Sequence, residues 1–288
     1  MERNFTSISP TARFLVQLKA QTRIPFAKEM AAVFDRPAYT HEFEETIKDK
    51  AALLRALIHF ENRYRSIDKL LKKIASENIL ELSSGFSGRG LNLCRTENIH
   101  FIDTDLPDII LQKQQVIEML NGANSNRLVG KLDLLPLNAL DEKEFSSICG
   151  RFNNNPVTII NEGLLVYLNT GEKVKICSII RKVLEQHKGY WITGDVYIKK
   201  NASVKNSYIG EKATQFRKEQ GIDENRFDSF AQAEEFFNAN GFHILHRAAL
   251  DITSLSCLEN EKENKTAIIN KLRHSGHNRE TWCLELTT

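Results

Sequence analysis

The chain has 288 residues, of which 41% are hydrophobic and 26% charged, a composition typical of an ordinary globular protein. Its 39 Lys and Arg residues nearly balance 37 Asp and Glu residues, which excludes the basic excess expected of a nucleic-acid-binding surface. No apolar stretch approaches the ~20 residues needed to span a bilayer, and the polar opening of the chain is unlike a signal peptide, so we expect a cytoplasmic protein with no membrane partner.

The N-terminal quarter of the chain has a helical pattern. From Ser9 to about Lys73, apolar residues recur at helical spacing and no strand-like run intervenes. We therefore predict a helical cap over residues 1–75, followed by one domain over residues 76–288.

From Asn78 onward, short apolar runs alternate with amphipathic segments. This alternation predicts βαβ units and a parallel sheet covered by helices on both faces. Pro107 is predicted in a first helical turn, and Thr170 and Ser229 are predicted helix caps. Two last strand candidates, at residues 242–250 and 281–286, can add an antiparallel member to the sheet.

The most informative local pattern follows the first strand, where residues 81–90 read E-L-S-S-G-F-S-G-R-G. A strand that breaks into small residues before a helix lets backbone N–H groups approach a ligand closely. Asp103 and Asp105 end the next strand, and Asp105 follows Gly85 by 20 residues, a spacing typical of a ribose-binding carboxylate. The pattern therefore predicts a nucleoside-containing cofactor.

Three interpretations of this loop are open on the local sequence. Ser83-x-Gly85-x-x-Gly88 resembles a dinucleotide fingerprint whose first glycine is serine, which would suit a nicotinamide oxidoreductase. Glu81-x-Ser83-x-Gly85 equally resembles the acidic-x-Gly-x-Gly pattern of class I methyltransferases, which bind S-adenosylmethionine (SAM). The third interpretation is a tight strand-to-helix turn that binds no ligand.

Nearly the whole chain resembles the leucine carboxyl methyltransferase / TcmP-like O-methyltransferase family, in five places and in the right order. Thr11-Ala12 with Lys19-Ala20 resembles the T-A … R/K-A signature, and R-Y-R-S-I-D at 63–68 resembles R-T-R-x-F-D. L-S-S-G-F-S-G-R at 82–89 resembles L-G-A-G-x-D-T-R. I-D-T-D-L-P at 102–107 resembles E-V-D-L-P, and N-E-G-L-L-V-Y-L at 161–168 resembles A-E-G-L-L-x-Y-L.

The resemblance implies a doubly wound, mostly parallel, seven-stranded sheet of the Rossmann-like class I methyltransferase type, with an N-terminal helical cap. It implies SAM as the cofactor and O-methylation of a small-molecule acceptor as the activity. The residues that it assigns to the cofactor are Lys19, Arg63, Glu81, Gly85, Asp105, Asp133, Leu134 and Glu162.

Individual roles follow from the matched positions. Lys19 and Arg63 would meet the carboxylate of the cofactor's methionine moiety, and Glu162 would lie near its amino group. Gly85 would let the backbone lie against the cofactor, and Asp105 would hold the ribose.

The remaining roles concern the adenine and the acceptor. Asp133 and Leu134 match a D-L segment that borders the adenine in the family, and Tyr167 would lie near the acceptor pocket. We also expect the acceptor to be chosen by the helical cap and by an insertion at residues 197–227, whose lysines suit a cationic lid over an anionic acceptor. A solvated polar loop is the alternative for that insertion.

The chain departs from the family pattern at Ser83, Ser87 and Gly88, where the family has Gly, Asp and Thr, whereas Arg89 is retained. Ser83 adds a side chain where the cofactor passes, which predicts a shifted loop or a lower affinity. These departures leave open a SAM-fold binding protein without turnover.

No histidine has the setting of a general base, which favours a carboxylate acceptor that is already ionised. A protein C-terminal carboxylate is the alternative to a small molecule. The five cysteines form no C-x-x-C pair, so we expect neither a disulfide framework nor a metal site.

Overall fold

The structure is a computed structural model, and it describes residues 9–33, 50–123, 128–153, 156–199, 211–248, 251–259, 266, 270 and 277–287. Its helices are α1 (Ser9–Lys19), α2 (Ala27–Ala32), α3 (Lys50–Ile74), α4 (Arg89–Thr96), α5 (Pro107–Ala123), α6 (Glu142–Cys149), α7 (Thr170–His187), α8 (Glu211–Glu219) and α9 (Phe230–Ala239). Its strands are β1 (Asn78–Leu82), β2 (His100–Asp105), β3 (Lys131–Pro136), β4 (Val157–Asn161), β5 (Gly189–Tyr197), β6 (Phe242–Arg247) and β7 (Arg279–Leu286). Short 3-10 turns lie at Leu165–Tyr167 and Ser256–Leu258.

The strands form one seven-stranded sheet in the order β3-β2-β1-β4-β5-β7-β6. Strands β1 to β5 pair in parallel, whereas β7 runs antiparallel to both β5 and β6. The predicted doubly wound, mostly parallel sheet with an antiparallel member is therefore confirmed. The strand order reverses beside β1, and in such sheets ligands bind outside the carboxyl ends of the strands at the reversal.

Helix α3 packs directly on one face of the sheet. Its residues Ile67, Leu70 and Leu71 share a buried apolar cluster with Ile160 of β4 and Ile192 of β5. The helix ends at Ile74, next to the predicted boundary at residue 75, but it belongs to the same core as the strands. The division into a cap and a SAM-binding domain stays a prediction.

Helix ends largely follow the sequence signals. Pro107 begins α5, and Ser229 caps α9 by accepting a hydrogen bond from the N–H of Gln232. The prediction of Thr170 as the cap of α7 is wrong by one residue, because Asn169 occupies that position and forms a capping box with Glu172. Both residue types cap helices well, and only Asn169 has a glutamate at the required spacing.

The C-terminal part of the chain differs in detail from the prediction. Strand β6 ends at Arg247 rather than at residue 250, and β7 begins at Arg279 rather than at residue 281. Within the insertion at 197–227 the structure describes α8, while residues 200–210, with Lys200 and Lys205, lie outside the described residues. Across the described ranges, no helix is both long enough and apolar enough to cross a membrane.

Candidate functional site

A cavity of about 130 Å³ lies at the carboxyl ends of the parallel strands, where the strand order reverses. Its floor consists of the loops that follow β1, β2, β3 and β4, and residues of α1 and Arg63 of α3 complete its wall. The lining residues lie within segments 83–88, 105–109, 137–140 and 162–168. We name 83–88 the β1 loop and 162–168 the β4 loop.

Six of the residues singled out from the sequence line this cavity: Lys19, Arg63, Gly85, Asp105, Glu162 and Tyr167. They come from five separate segments of the chain, since Glu162 and Tyr167 share the β4 loop, so the fold brings together residues that the sequence keeps far apart. Glu81 is buried behind the β1 loop, outside the lining, where its carboxylate pairs with Arg89.

Asp133 and Leu134 also lie outside the lining. The carboxylate of Asp133 lies 2.8 Å from His100 Nε2 and 2.8 Å from Lys131 Nζ. Partial burial raises the pKa of this carboxyl, but the two contacts outweigh burial and lower it. Strand β3 continues to Pro136, which is in register with Asp105, so the chain reaches the cavity only at residues 137–140.

The β1 loop has two residues in the left-handed region of backbone space. Gly85 has φ +52°, which glycine adopts without strain, and Ser83 has φ +50°, which costs a residue with a side chain about 1–2 kcal/mol. The N–H of Gly85 donates to Asp105 Oδ2 at 2.7 Å, and the N–H of Leu106 donates to Oδ1 at 2.7 Å. Burial raises the pKa of Asp105, and these two N–H groups oppose that effect. The β1 loop and the end of β2 thus form one hydrogen-bonded unit.

The glycine at position 88 has a steric explanation. A Cβ added there would lie 2.6 Å from Cβ of Phe26 and 3.0 Å from the carbonyl oxygen of Pro25, in the connection between α1 and α2. The threonine of the family pattern therefore does not fit this backbone. Ser87, the other departure in this turn, accepts a hydrogen bond at 3.3 Å from the N–H of Arg89, at the start of α4.

Glu162 is the centre of a buried charge cluster. Its carboxylate lies 2.6 Å from Lys19 Nζ, 3.2 Å from Arg63 and 3.0 Å from Arg89. Burial alone would raise the pKa of Glu162, but the three cations hold it well below its usual range. Burial lowers the pKa of Lys19, and the attraction of Glu162 opposes that effect. Glu162 is therefore ionised at neutral pH, and two of the cations beside it, Lys19 and Arg63, face the cavity.

Arg89 links this cluster to two further carboxylates. Its guanidinium is buried and contacts Asp68 at 2.8 Å, as well as Glu81 and Glu162. Burial, with Asp103 close by, raises the pKa of Glu81 to about 7. The sequence analysis did not assign Arg89 to the site. The available signal was that Asp68, Glu81 and Glu162 lie in or next to matched segments, and that buried acids such as Glu81 and Glu162 need a cation.

Asp195 holds the β4 loop in place through hydrogen bonds. It is another residue that the motifs did not assign to the site. The carboxylate accepts hydrogen bonds from the N–H groups of Gly163, Leu164 and Leu165 at 2.7 to 3.1 Å. At the far end of the loop, the hydroxyl of Tyr167 donates to Oγ1 of Thr11 at 3.4 Å, and burial raises the pKa of the phenol. The loop therefore presents Tyr167 to α1 across the cavity.

The chemistry available at the cavity is that of charged and hydroxyl groups. Among the described residues that line it there is no histidine or cysteine, and its carboxylates, Asp105 and Glu162, are already engaged by N–H groups and cations. The described part of the chain contains no group of three or more His, Cys, Asp or Glu that could hold a metal ion. The arrangement can bind a zwitterion and position a reactant, and it holds no group set up as a general base.

Neither models of protein families nor curated proteins gave a match to this chain. Among solved structures, a DUF574 family protein from Streptomyces avermitilis is similar at 12% sequence identity, with a TM-score of 0.54, over 96% of this chain and 97% of that one.

Two further structures resemble the chain at lower scores. Magnesium protoporphyrin IX methyltransferase from Synechocystis, with bound SAH, has 11% identity over 89% of this chain and 95% of its own, with a TM-score of 0.47. Mitomycin 7-O-methyltransferase has 6% identity over 88% of this chain and 59% of its own, with a TM-score of 0.48. At these identities the likeness concerns the fold alone. The chain has the Rossmann-like class I methyltransferase fold that the sequence predicted.

Proposed function

We propose that this chain is a SAM-dependent O-methyltransferase that acts on the carboxylate of a small molecule, as the resemblance to the leucine carboxyl methyltransferase / TcmP-like family implies. The observation that carries the proposal is the cluster of Lys19, Arg63 and Glu162 at the cavity. The methionine end of SAM is a zwitterion, and its carboxylate would take Lys19 and Arg63 while its ammonium group takes Glu162. The ligand charges would thereby replace part of the contacts that these residues make with one another.

The rest of the cofactor fits along the strand ends. Gly85 has no side chain to obstruct the ligand, and Asp105 beside it would accept hydrogen bonds from the ribose hydroxyls. We propose that the adenine lies against residues 137–140, which continue the chain from the Asp133–Leu134 segment and include three apolar side chains.

A carboxylate acceptor suits a cavity without a general base. A carboxylic acid has a pKa near ~4 and arrives ionised, whereas a hydroxyl acceptor needs proton removal. The sulfonium already makes the methyl group electrophilic, so the protein's main task is to hold donor and acceptor in line and exclude water. Such positioning contributes up to about 7–11 kcal/mol to catalysis. Tyr167 and Thr11, on the side of the cavity facing α1, would orient the acceptor.

Two measurements test the proposal. Calorimetry should detect SAM binding, and NADH at the same concentration should give no heat. Incubation with methyl-labelled SAM and a metabolite extract should then yield a labelled small molecule that loses its label in alkali, as an ester does.

Other outcomes identify the alternatives. A base-stable product rejects the carboxylate acceptor, and label in the protein fraction indicates a protein C-terminal carboxylate. SAM binding without any labelled product indicates a binding protein without turnover, an alternative that the strained Ser83 beside the cavity favours. No SAM binding at millimolar concentration rejects the proposal.

A further inference from the structure

The insertion between β5 and α9 touches the β4 loop at a defined point. The side-chain Nδ2 of Asn225, near the end of the insertion, donates to the main-chain carbonyl of Val166 at 3.2 Å. Val166 precedes Tyr167, the loop residue whose hydroxyl reaches across the cavity to α1. A contact between segments 59 residues apart therefore fixes the backbone next to the proposed acceptor-facing tyrosine.

Lys173 forms the second part of this contact. It lies in the first turn of α7, where the helix dipole disfavours a cation, and it is buried. Its ammonium donates to the main-chain carbonyl of Asn225 and lies 5.1 Å from the ring centroid of Phe227. A buried cation at an unfavourable helix end is costly, and here its hydrogen-bond acceptor and its aromatic contact both lie in the insertion.

The insertion end that carries these partners is itself anchored to the sheet. The N–H of Phe227 donates to the carbonyl of Tyr197 at 3.0 Å, and the N–H of Lys199 donates to the carbonyl of Phe227 at 2.7 Å. The ring of Phe227 is buried and lies 6.1 Å from that of Phe237 in the main core. Asn225 therefore lies two residues from Phe227, which is fixed to the sheet and to the main core.

We propose that Asn225 and Lys173 are positioning residues for the methyl acceptor. Asn225 bonds to the β4 loop at Val166 and Lys173 holds Asn225 in place, while Asp195 binds the preceding residues of the loop. The inference rests on the proposed function and assigns to the insertion a role other than a cationic lid. Lys199 agrees with this, since it forms an ion pair with Asp228 at the surface. The cofactor residues Lys19, Arg63 and Asp105 do not contact Asn225 or Lys173 among the described interactions, so the effect should fall on the acceptor and not on SAM.

The charge on Lys173 gives the contact a pH dependence. Burial lowers its pKa to about 8, against the attraction of Asp195 on β5 and Glu172 on its own helix. Lys199, after β5, opposes the charge, and Cys177 on α7 faces the same ammonium. The bond from Lys173 to the carbonyl of Asn225 should therefore weaken as the ammonium loses its charge, when the pH rises through about 8.

The test compares Asn225→Ala with Gln215→Ala in the full chain. Gln215 is an exposed amide on α8 of the same insertion, bonded only to Glu219 among the described contacts, so it controls for loss of an amide there. Hydrogen exchange of the Tyr167 and Leu168 amides, which bond within the β4 loop, should be about tenfold faster in Asn225→Ala, corresponding to roughly 1.4 kcal/mol. Gln215→Ala should exchange like the wild type.

The activity readout uses methyl-labelled SAM and a dilution series of the metabolite extract. In Asn225→Ala the half-saturating amount of extract should rise about tenfold, while the Kd for SAM by calorimetry changes less than twofold. In the wild type, acceptor use should fall above pH 8 as the bond from Lys173 to Asn225 weakens, and Lys173→Met, the second variant, should remove that fall.

Equal exchange in Asn225→Ala and Gln215→Ala, or a shift in the SAM Kd as large as that for the acceptor, would overturn the inference. If the wild type transfers no label, the proposed function fails, and the exchange measurement still decides whether Asn225 fixes the loop.

Discussion

Replacement of Glu162 by glutamine should strongly destabilise the protein. The substitution keeps the shape of the side chain and removes the charge that Lys19, Arg63 and Arg89 face at 2.6 to 3.2 Å. Arg89 retains Asp68 and Glu81, but no other described carboxylate lies within ion-pair distance of Lys19 or Arg63. Removal of one partner from a buried ion pair costs about 3–5 kcal/mol. At roughly 2–4 °C per kcal/mol for a chain of this size, the Tm should fall by about 6–20 °C.

The measurement is thermal and urea unfolding at pH 7 without cofactor, with Glu142→Gln as the matched control. Glu142 forms a 2.6 Å ion pair with Lys182, but both side chains are about half exposed, so this pair should contribute about 0–1 kcal/mol. If Glu162→Gln loses no more than the control, the buried cluster does not depend on Glu162 and the reasoning is refuted.

The pH dependence gives this prediction a second test. The three cations hold the pKa of Glu162 below its unfolded value of about 4.3, so its contribution to stability is complete above that pH. The contribution is lost as the pH falls toward the folded pKa. The stability difference between the wild type and Glu162→Gln should stay constant from about pH 8 to pH 5 and shrink below about pH 4. A difference that shrinks between pH 8 and pH 6 would contradict the assignment.

Three further predictions concern the loops at the cavity. Ser83→Gly should raise the free energy of unfolding by about 0.5–1 kcal/mol. Glycine removes the cost of φ +50°, but part of this gain is lost because glycine increases the conformational entropy of the unfolded chain. An unchanged urea midpoint would speak against strain. Gly88→Thr should cost about 1–3 kcal/mol in the same assay, because its Cβ meets Phe26; tolerance of threonine would mean that the α1–α2 connection moves freely. Asp105→Ala should weaken SAM binding more than about tenfold by calorimetry, since it removes the proposed ribose acceptor and the partner of the Gly85 N–H; an unchanged Kd rejects the assignment.

The fold was predictable because its signals are local. Each buried strand is a short apolar run, as at Ile79 and Leu80 in β1, and Pro107 marks the start of α5. Parallel strands joined by helices place their carboxyl ends on one edge of the sheet. Gly85 follows one such strand and Asp105 ends the next, and their spacing predicts a shared ligand, whereas Glu162 is added to them only by the family resemblance; all three line the cavity.

What the sequence left unassigned depends on tertiary contacts. Arg89 has three carboxylate partners from separate segments, and Asp195 bonds to a loop some 30 residues earlier in the chain. The length of β3 is set by pairing with β2, and this pairing keeps Asp133 within the strand and away from the cavity. Periodicity and motif spacing contain no information on such pairings.

Two of the three departures from the family pattern in the β1 loop, Gly88 and Ser83, have opposite physical meanings. Gly88 is matched by the close approach of Phe26, so this change belongs to the packing of the N-terminal helices on the loop. No described contact explains Ser83 in the way that Phe26 explains Gly88. Its left-handed backbone is a strained position that borders the cavity. Strain of this kind persists where the surrounding structure over-determines the backbone, and it is concentrated at functional sites.

The buried charges, like the strained backbone of Ser83, indicate that the cavity is a functional site. Lys19, Arg63, Arg89 and Glu162 are all largely removed from water, at a desolvation cost of several kcal/mol for each ion. Well-packed apolar side chains of similar volume would often stabilise a protein as well or better. The stability of the fold therefore gives no reason for this cluster, whereas a ligand that carries both charges does. The methionine end of SAM, the proposed cofactor, carries both, and the cavity would offer it two cations and one carboxylate at the point where the sheet reverses its strand order.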